Sequence, residues 1–190
     1  MAAVDTIEPM SRPPLAREKV LDAFERILID DGERAATMDA AARAAGVSKG
    51  GLLYHFASKD ALESGLIDRL AVLVDEDIAA IESAPEGPVA YFLRSSVMED
   101  APLDRAIIAA SRLAQSGNAP ALAALHDMRS RWEDVLRPHT RDTAALDLVM
   151  LVSDGLYFNN ALGGDSPLTV VPRGSRLEAL IERVVHAAAP

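Results

Sequence analysis

Almost every segment of this 190-residue chain spaces its apolar residues three and four apart, and no stretch alternates convincingly with period two. That spacing puts the apolar side chains on one stripe of a helix, and such a stripe is stable only when buried against another element. Val20, Leu21, Phe24, Ile27 and Leu28 mark a first helix that closes near Asp30-Asp31-Gly32. Short helices are predicted after Thr37 and after Ser48. Leu62, Leu66, Leu70, Leu73, Val74, Ile78 and Ile81 mark a long helix ending before Pro85. Further stripes follow Gly87-Pro88 (Val89, Phe92, Leu93, Val97) and Pro102 (Leu103, Ala106, Ile107, Ala110, Leu113). Another runs from Leu122 through Leu125, Met128, Trp132 and Val135 to Leu136, where Pro138 stops it. Aromatics make up only 4% of the chain, so its core is aliphatic, and Ala and Leu favour helices. The expectation is an all-α fold of about nine helices.

Thr37, Ser48, Ser58, Asn118 and Thr140 stand where a side-chain oxygen would satisfy the free N–H groups of a helix start. Ser175 with Glu178 has capping-box spacing ahead of Leu177, Leu180, Ile181, Val184 and Val185. One helix differs from the rest. From Leu146 to Leu162 the apolar residues Leu146, Leu148, Val149, Met150, Leu151, Val152, Leu156, Tyr157 and Phe158 cover every side. Such a helix is either a central core helix or packs on its own body with one face and on a second subunit with the other.

The chain has no cysteine, which removes disulfides and thiolate chemistry and fits a reducing cytosol. No apolar run approaches the roughly 20 residues of a membrane span, and residues 1–14 read as a loose arm without a secretion signal. A cytoplasmic location without membrane contact follows as an expectation. The net charge of −10 argues at first against a nucleic-acid partner. Its distribution softens that. Residues 1–60 carry eight cations against ten anions, and Arg43 to Lys59 holds three cations and no anion. Phosphate affinity depends on the contact face, not on the overall charge.

The most informative stretch runs from Thr37 to Phe56. It reads as two short helices joined at a glycine, a helix-turn-helix. Ala42 and Ala45 let the helices cross closely, Gly46 can take the positive φ of a tight corner, and Val47 and Leu52 face inward. Ser48 caps the second helix, leaving Lys49, Gly50, Gly51, Leu53, Tyr54 and His55 to face a ligand.

The run Ala45-Gly46-Val47-Ser48-Lys49-Gly50, with Leu52, Tyr54-His55-Phe56 and Ser58-Lys59-Asp60-Ala61-Leu62, resembles the TetR family of repressors over roughly residues 14–65. The resemblance implies a three-helix DNA-binding head (residues 15–62) and a helical body (63–190) that binds a small molecule and dimerises. It implies that Thr37 bonds a phosphate, that Lys49, Gly50 and Leu53 enter the major groove, that Tyr54 and His55 touch the backbone, and that Lys59 adds a phosphate contact. Ser48 and Gly51 belong to the same surface. Two positions depart from the family pattern: Gly51 stands where Thr or another small residue is usual, and Leu53 where Tyr is usual. Two glycines in so short a helix cost about 1 kcal/mol each relative to Ala, unless a close approach to DNA needs the bare backbone. With no Asn, Gln or Arg in the set, Lys49 to guanine and Leu53 to a thymine methyl are the direct readouts, and DNA shape supplies the rest. The competing assignments are structural: Phe56 and Tyr54 packing the head on the long helix, His55 capping or packing, Lys59 solvated at a helix start.

In the body, polar or bulky residues on apolar faces are the candidate effector contacts: Arg94, Arg112, Trp132, Tyr157, Asn159 and Asn160, with Met98, Met128 and Met150 as adaptable walls. Arg112 either meets an anionic ligand or sits in a surface ion pair. A low-aromatic pocket suits a small apolar or amphiphilic molecule. Leu148, Val152, Gly155, Leu180 and Val184 are the candidate dimer contacts, with Gly155 allowing close approach or a kink. His126, His139 and His186 form no i, i+4 metal pair, so neither metal nor other cofactor is predicted. There is no phosphate loop or nucleophile elbow, and Asp75-Glu76-Asp77 and Glu99-Asp100 read as solvated charge. The expected function is therefore non-enzymatic: a homodimeric repressor that binds double-stranded operator DNA and is released by a small molecule. An activator on the same head, or an interaction module without an operator, shares the same sequence features.

Overall fold

The computed structural model describes residues 13–97, 100–163 and 171–190. Within them lie nine α-helices: α1 (Pro13–Asp30), α2 (Met38–Ala45), α3 (Lys49–His55), α4 (Lys59–Ser83), α5 (Pro88–Ser95), α6 (Pro102–Gln115), α7 (Ala119–Leu136), α8 (Thr143–Gly163) and α9 (Ser175–Ala188). No strand occurs among the described residues. The all-α expectation holds. Pro13, in the segment read as a loose arm, opens α1, where a missing N–H costs nothing because the first turn has no acceptor for it.

Local chemistry sets most helix starts. Thr37 Oγ1 accepts from the Ala40 N–H at 3.2 Å, Ser48 Oγ from Gly51 at 3.0 Å, Ser58 Oγ from Ala61 at 3.1 Å and Asn118 Oδ1 from Ala121 at 2.9 Å. Each satisfies an otherwise orphaned donor of a first turn. Two caps differ from expectation. Thr140 closes the 3-10 turn Arg137–His139 by donating to the Arg137 carbonyl, and Asp142 takes the start of α8, accepting from the Ala145 N–H at 2.8 Å. The Ser175–Glu178 capping box does not form. Gly174 precedes α9 without a side-chain cap, and the Glu178 carboxylate is drawn away to Arg94.

Three apolar groups hold the fold together. The first joins Val20, Leu21, Phe24 and Leu28 of α1, Ala41 and Ala42 of α2, Leu52 of α3, and Leu62 and Leu66 of α4 to Ala109, Leu113 and Ala121 of α6 and α7. Fully burying a side chain such as Phe24 or Leu52 stabilises the fold by roughly 1.5–3 kcal/mol. The second lies between α4, α6 and α7: Leu70, Val74, Ala106, Ile107, Ala110 and Met128. The third joins α5, α8 and α9 through Phe92, Leu93, Leu146, Val149, Met150, Ile181 and Val184. α4 contributes to all three, so the boundary expected at residues 62–63 falls inside one continuous helix.

α8 is buried on one side only. Leu146, Val149, Met150, Ser153 and Leu156 face the core, while Leu148, Leu151 and Phe158 are exposed, the last two by 66% and 63%. Its buried Ser153 hydroxyl shares a 2.8 Å hydrogen bond with Ser96 of α5. Among the described residues no buried side-chain nitrogen or oxygen lacks a partner, and no helix is long and apolar enough to cross a membrane.

Candidate nucleic-acid interface and effector region

The corner between α2 and α3 turns on Gly46, whose φ of 68° is left-handed and whose N–H returns to the last turn of α2. This is the conformation that glycine adopts without a Cβ penalty. Leu52 and Phe56, both almost fully buried, pin the inner side of α3. Phe56 packs against α4 so closely that a Cβ on Gly65 would meet its ring at 2.9 Å, and the Arg17 guanidinium lies 5.2 Å from that ring. The packing role expected for Phe56 is the one observed.

The outer side of α3 is left uncovered. Lys49 and Gly50 are exposed, Leu53 is 45% exposed and Tyr54 80% exposed, while Gly51 and His55 are half-buried. Tyr54 stands edge-on to His55, with ring centroids 5.1 Å apart. A Cβ at Gly50 would meet nothing within 4 Å. No packing inside the chain therefore requires glycine there, although glycine weakens so short a helix. At Gly51 a Cβ would lie 3.3 Å from the capping Ser48 hydroxyl, a modest internal constraint. Thr37 and Ser48 spend one lone pair each on a cap and keep their hydroxyl protons available to an outside acceptor.

Two of the three cations in the basic stretch are paired. Lys49 Nζ lies 3.0 Å from Asp39 of α2, both side chains being more than half exposed. A pair of that kind is worth at most about 1 kcal/mol and is readily exchanged for another anion. Lys59 differs from expectation: its ammonium lies 2.5 Å from a Glu33 carboxylate oxygen, with Glu63 at 3.8 Å. In this structure it is half-buried and paired, because the turn before α2 folds Glu33 back over the start of α4. Burial raises the Glu63 carboxyl above its ordinary value, opposed by Lys59 and by the Asn118 amide, which donates to it at 2.7 Å.

The candidate effector contacts divide. Met128, Trp132 and Tyr157 come together around the α4–α6–α7 core. Trp132 stands edge-on to Phe92 with centroids 5.4 Å apart, and its indole N–H donates to Asp77 at 2.8 Å. Burial raises the Asp77 carboxyl, the indole hydrogen bond lowers it, and the Asp104 carboxylate raises it further. The Tyr157 hydroxyl donates to the Asp104 carbonyl at 3.1 Å, and burial raises that phenol far above its ordinary value. A cleft of about 50 Å³ opens between α4 and α7 beside Met128, lined by Leu70, Val74 and Ala124 with Asp127 and Arg131 at its rim.

Met150 lies in the separate α5–α8–α9 core. Arg94 and Arg112 are not in the interior. Arg94 bonds Glu178 through two nitrogens, at 3.1 and 2.9 Å, and Glu86 through a third at 2.6 Å, holding Glu178 below the usual carboxylate range. It bridges α5 to α9 beside an open groove of about 520 Å³. Arg112 is exposed near the end of α6. Asn160 accepts from Arg173 at 2.8 Å, and the exposed Asn159 donates back to the Gly155 carbonyl. Met98 lies outside the described residues. Asp77 differs from the solvated charge expected of it, and its contact with Trp132, like that of Asp104 with Tyr157, joins residues more than 50 positions apart, which no local pattern signals.

The candidate dimer contacts divide as well. Leu148 is exposed on the outer side of α8 and a Cβ on Gly155 would meet open space, whereas Val152 is half-buried against the chain's own α5–α8–α9 core. Leu151 and Phe158 share that outer side and were not singled out from sequence. Val184 differs from expectation: it is only 5% exposed and packs into the chain's own core, while Leu180 is half-buried against the same core.

Residues 20–63 match the family described as bacterial regulatory proteins, tetR family, and residues 86–184 match the tetracyclin repressor-like C-terminal domain. No curated protein matches significantly. Solved structures share the fold at low identity. GusR of Salmonella enterica is 17% identical with a TM-score of 0.68, covering 95% of this chain and 98% of its own. A transcriptional regulator of Saccharomonospora viridis in complex with choline is 18% identical with a TM-score of 0.62, covering 89% and 93%. SmeT in its triclosan complex is 18% identical with a TM-score of 0.60, covering 92% of each chain. With a matched helix-turn-helix at its front and a matched ligand-binding-type body behind it, the chain belongs to the TetR family of bacterial regulatory proteins.

Proposed function

We propose that this regulator is a repressor that binds operator DNA as a homodimer and is released when a small molecule enters its body. The observation that carries the reading is the uncovered outer side of α3: Lys49, Gly50, Leu53 and Tyr54 face away from a helix whose other side is pinned by Leu52. A short rod presented in this way fits a major groove, with Lys49 exchanging Asp39 for guanine or phosphate, Leu53 meeting a thymine methyl, and Tyr54, His55, Thr37 and Ser48 on the backbone. The bare backbone of Gly50 and Gly51 allows close approach.

Dimerisation supplies the second rod. The exposed apolar residues of α8, Leu148, Leu151 and Phe158, with half-buried Val152 and Gly155 at their edge, form the surface we assign to the partner, together with the exposed side of α9. The effector region is the Met128–Trp132–Tyr157 cluster, and an apolar or amphiphilic molecule suits its lining. That neighbours of this fold are described with choline and with triclosan supports a small-molecule effector of some kind. An effector that prefers one spacing of the two heads shifts the population away from the spacing operator prefers. The protein works in the cytoplasm on this reading.

The test is retention of genomic DNA fragments by the purified protein, followed by salt titration of the recovered duplex. Lys49→Ala and Tyr54→Ala should each weaken binding about 5- to 100-fold with unchanged melting temperature, and affinity should fall steeply with salt. Unaltered affinity in both variants would remove α3 as the reading element.

A further inference from the structure

The head meets the body along one side of α1, and it does so through two kinds of contact. One is apolar: Val20, Leu21, Phe24 and Leu28 share a core with Ala109, Leu113 and Ala121 of α6 and α7. The other is charged. Glu18, Asp22 and Glu25, spaced i, i+4, i+7 on α1, face Arg69 of α4 and Arg105 of α6. Glu25 is only 4% exposed, and its two oxygens take Arg69 Nη1 at 3.4 Å and Arg105 Nε at 3.3 Å. Arg69 also holds Glu18 at 2.7 Å and Asp22 at 2.9 Å, and Arg105 reaches back to Asp100.

The two contacts differ in what they specify. Apolar packing on small alanine surfaces is non-directional and tolerates a small slide or roll. Guanidinium–carboxylate pairs are directional, and a buried one allows little variation in angle without loss of a charge partner. Glu25 is the one side chain of the group that touches both α4 and α6 from α1.

We propose that Glu25 is a positioning residue for operator recognition: clamped between Arg69 and Arg105, it sets the pitch of the head on the body, and through it the separation of the two α3 helices in the dimer. It touches no DNA. The inference rests on the reading of the protein as an operator-binding dimer, and it names the element that determines which half-site spacing that dimer accepts.

The probe is the duplex that the wild-type protein recovers from sheared genomic DNA, compared with the same duplex carrying one base pair more or fewer between its half-sites. One base pair shifts a half-site by about 3.4 Å and about 35° around the duplex axis, so the wild-type protein should lose about tenfold or more in affinity. Glu25→Gln and Arg105→Ala should reduce that penalty to about threefold or less, with Arg105→Lys intermediate, while salt dependence on non-specific DNA stays unchanged. Glu25→Gln leaves Arg69 with Glu18 and Asp22 and Arg105 with Asp100, so no guanidinium is stranded. A second readout avoids DNA. The chain has no cysteine, so Ala44→Cys, at an exposed position on α2, takes a single spin label per protomer. The head-to-head distance distribution should broaden in both variants. Folded variants that keep the wild-type spacing penalty and the wild-type distribution overturn the proposal, even if they melt at a lower temperature. A wild-type protein that retains no DNA overturns the operator reading, and this inference with it.

Discussion

The head and the body of this regulator bury their residues by the same rules but reveal their function differently. In the head, the residues assigned to DNA are the ones that break the core pattern: Tyr54 is 80% exposed beside the buried Phe56, and Gly50 sits in a helix with open space around it. In the body, the residues we assign to the effector belong to the core or pack against it: Met128 is buried among Leu70, Val74 and Ile107, and Trp132 and Tyr157 lie half-buried beside them. A surface that reads a groove must stand apart from packing. A pocket for an apolar molecule is built from the same side chains that fill an interior.

The sharpest way to break this comparison is to separate the two regions' contributions to DNA binding. Leu151→Glu combined with Phe158→Glu places charge on the outer stripe of α8 without touching the head. The doubly substituted protein should sediment as a monomer with native helicity and lose at least about 100-fold in operator affinity. A dimer that persists would move the interface elsewhere. Next in size is Gly65→Ala, where the added methyl would meet the Phe56 ring at 2.9 Å and a Leu21 methyl at 3.1 Å. Overpacking there should destabilise the protein by about 1–3 kcal/mol in chemical denaturation, and it tests whether the head's inner side is as tightly fitted as its outer side is open.

Gly50→Ala probes the opposite side and should act in two directions. Removing a helix-weakening glycine should stabilise the protein by up to about 1 kcal/mol, while a methyl facing the groove should weaken operator binding. A variant that is both more stable and an undiminished binder would show that the bare backbone serves no close approach. The smallest effect is expected in the body. Burial holds the Asp77 proton to higher pH in the folded protein than in the unfolded chain. Ionising it therefore erodes stability as pH rises from the ordinary aspartate range through its raised folded value. Asp77→Asn, which keeps an acceptor for the Trp132 indole, should flatten that part of the pH profile and raise the neutral-pH melting temperature by roughly 1–3 °C.

Much of the fold was legible because it rests on local chemistry. Thr37, Ser48, Ser58 and Asn118 cap the helices they precede, and Gly46 takes the left-handed corner, for reasons confined to three or four neighbouring residues. Where a distant partner competes, the local reading fails. Glu178 had the spacing to cap α9 but instead meets Arg94, 84 residues away in sequence. Lys59 had the position of a solvated helix-start residue, but it is half-buried and paired with Glu33. Val184 carries the same apolar character as the dimer candidates on α8, and only packing shows which of them faces inward.

Periodicity, capping residues and one glycine-centred corner were enough to specify an all-helical fold with a helix-turn-helix at its front, because those signals act over one or two turns of chain. The tertiary structure alone decided which charges are paired, which side of α8 is left bare, and that Glu25 is buried between two guanidinium groups. Those outcomes depend on contacts between helices far apart in sequence, and a charge or an apolar side chain carries no local mark of the partner it will meet.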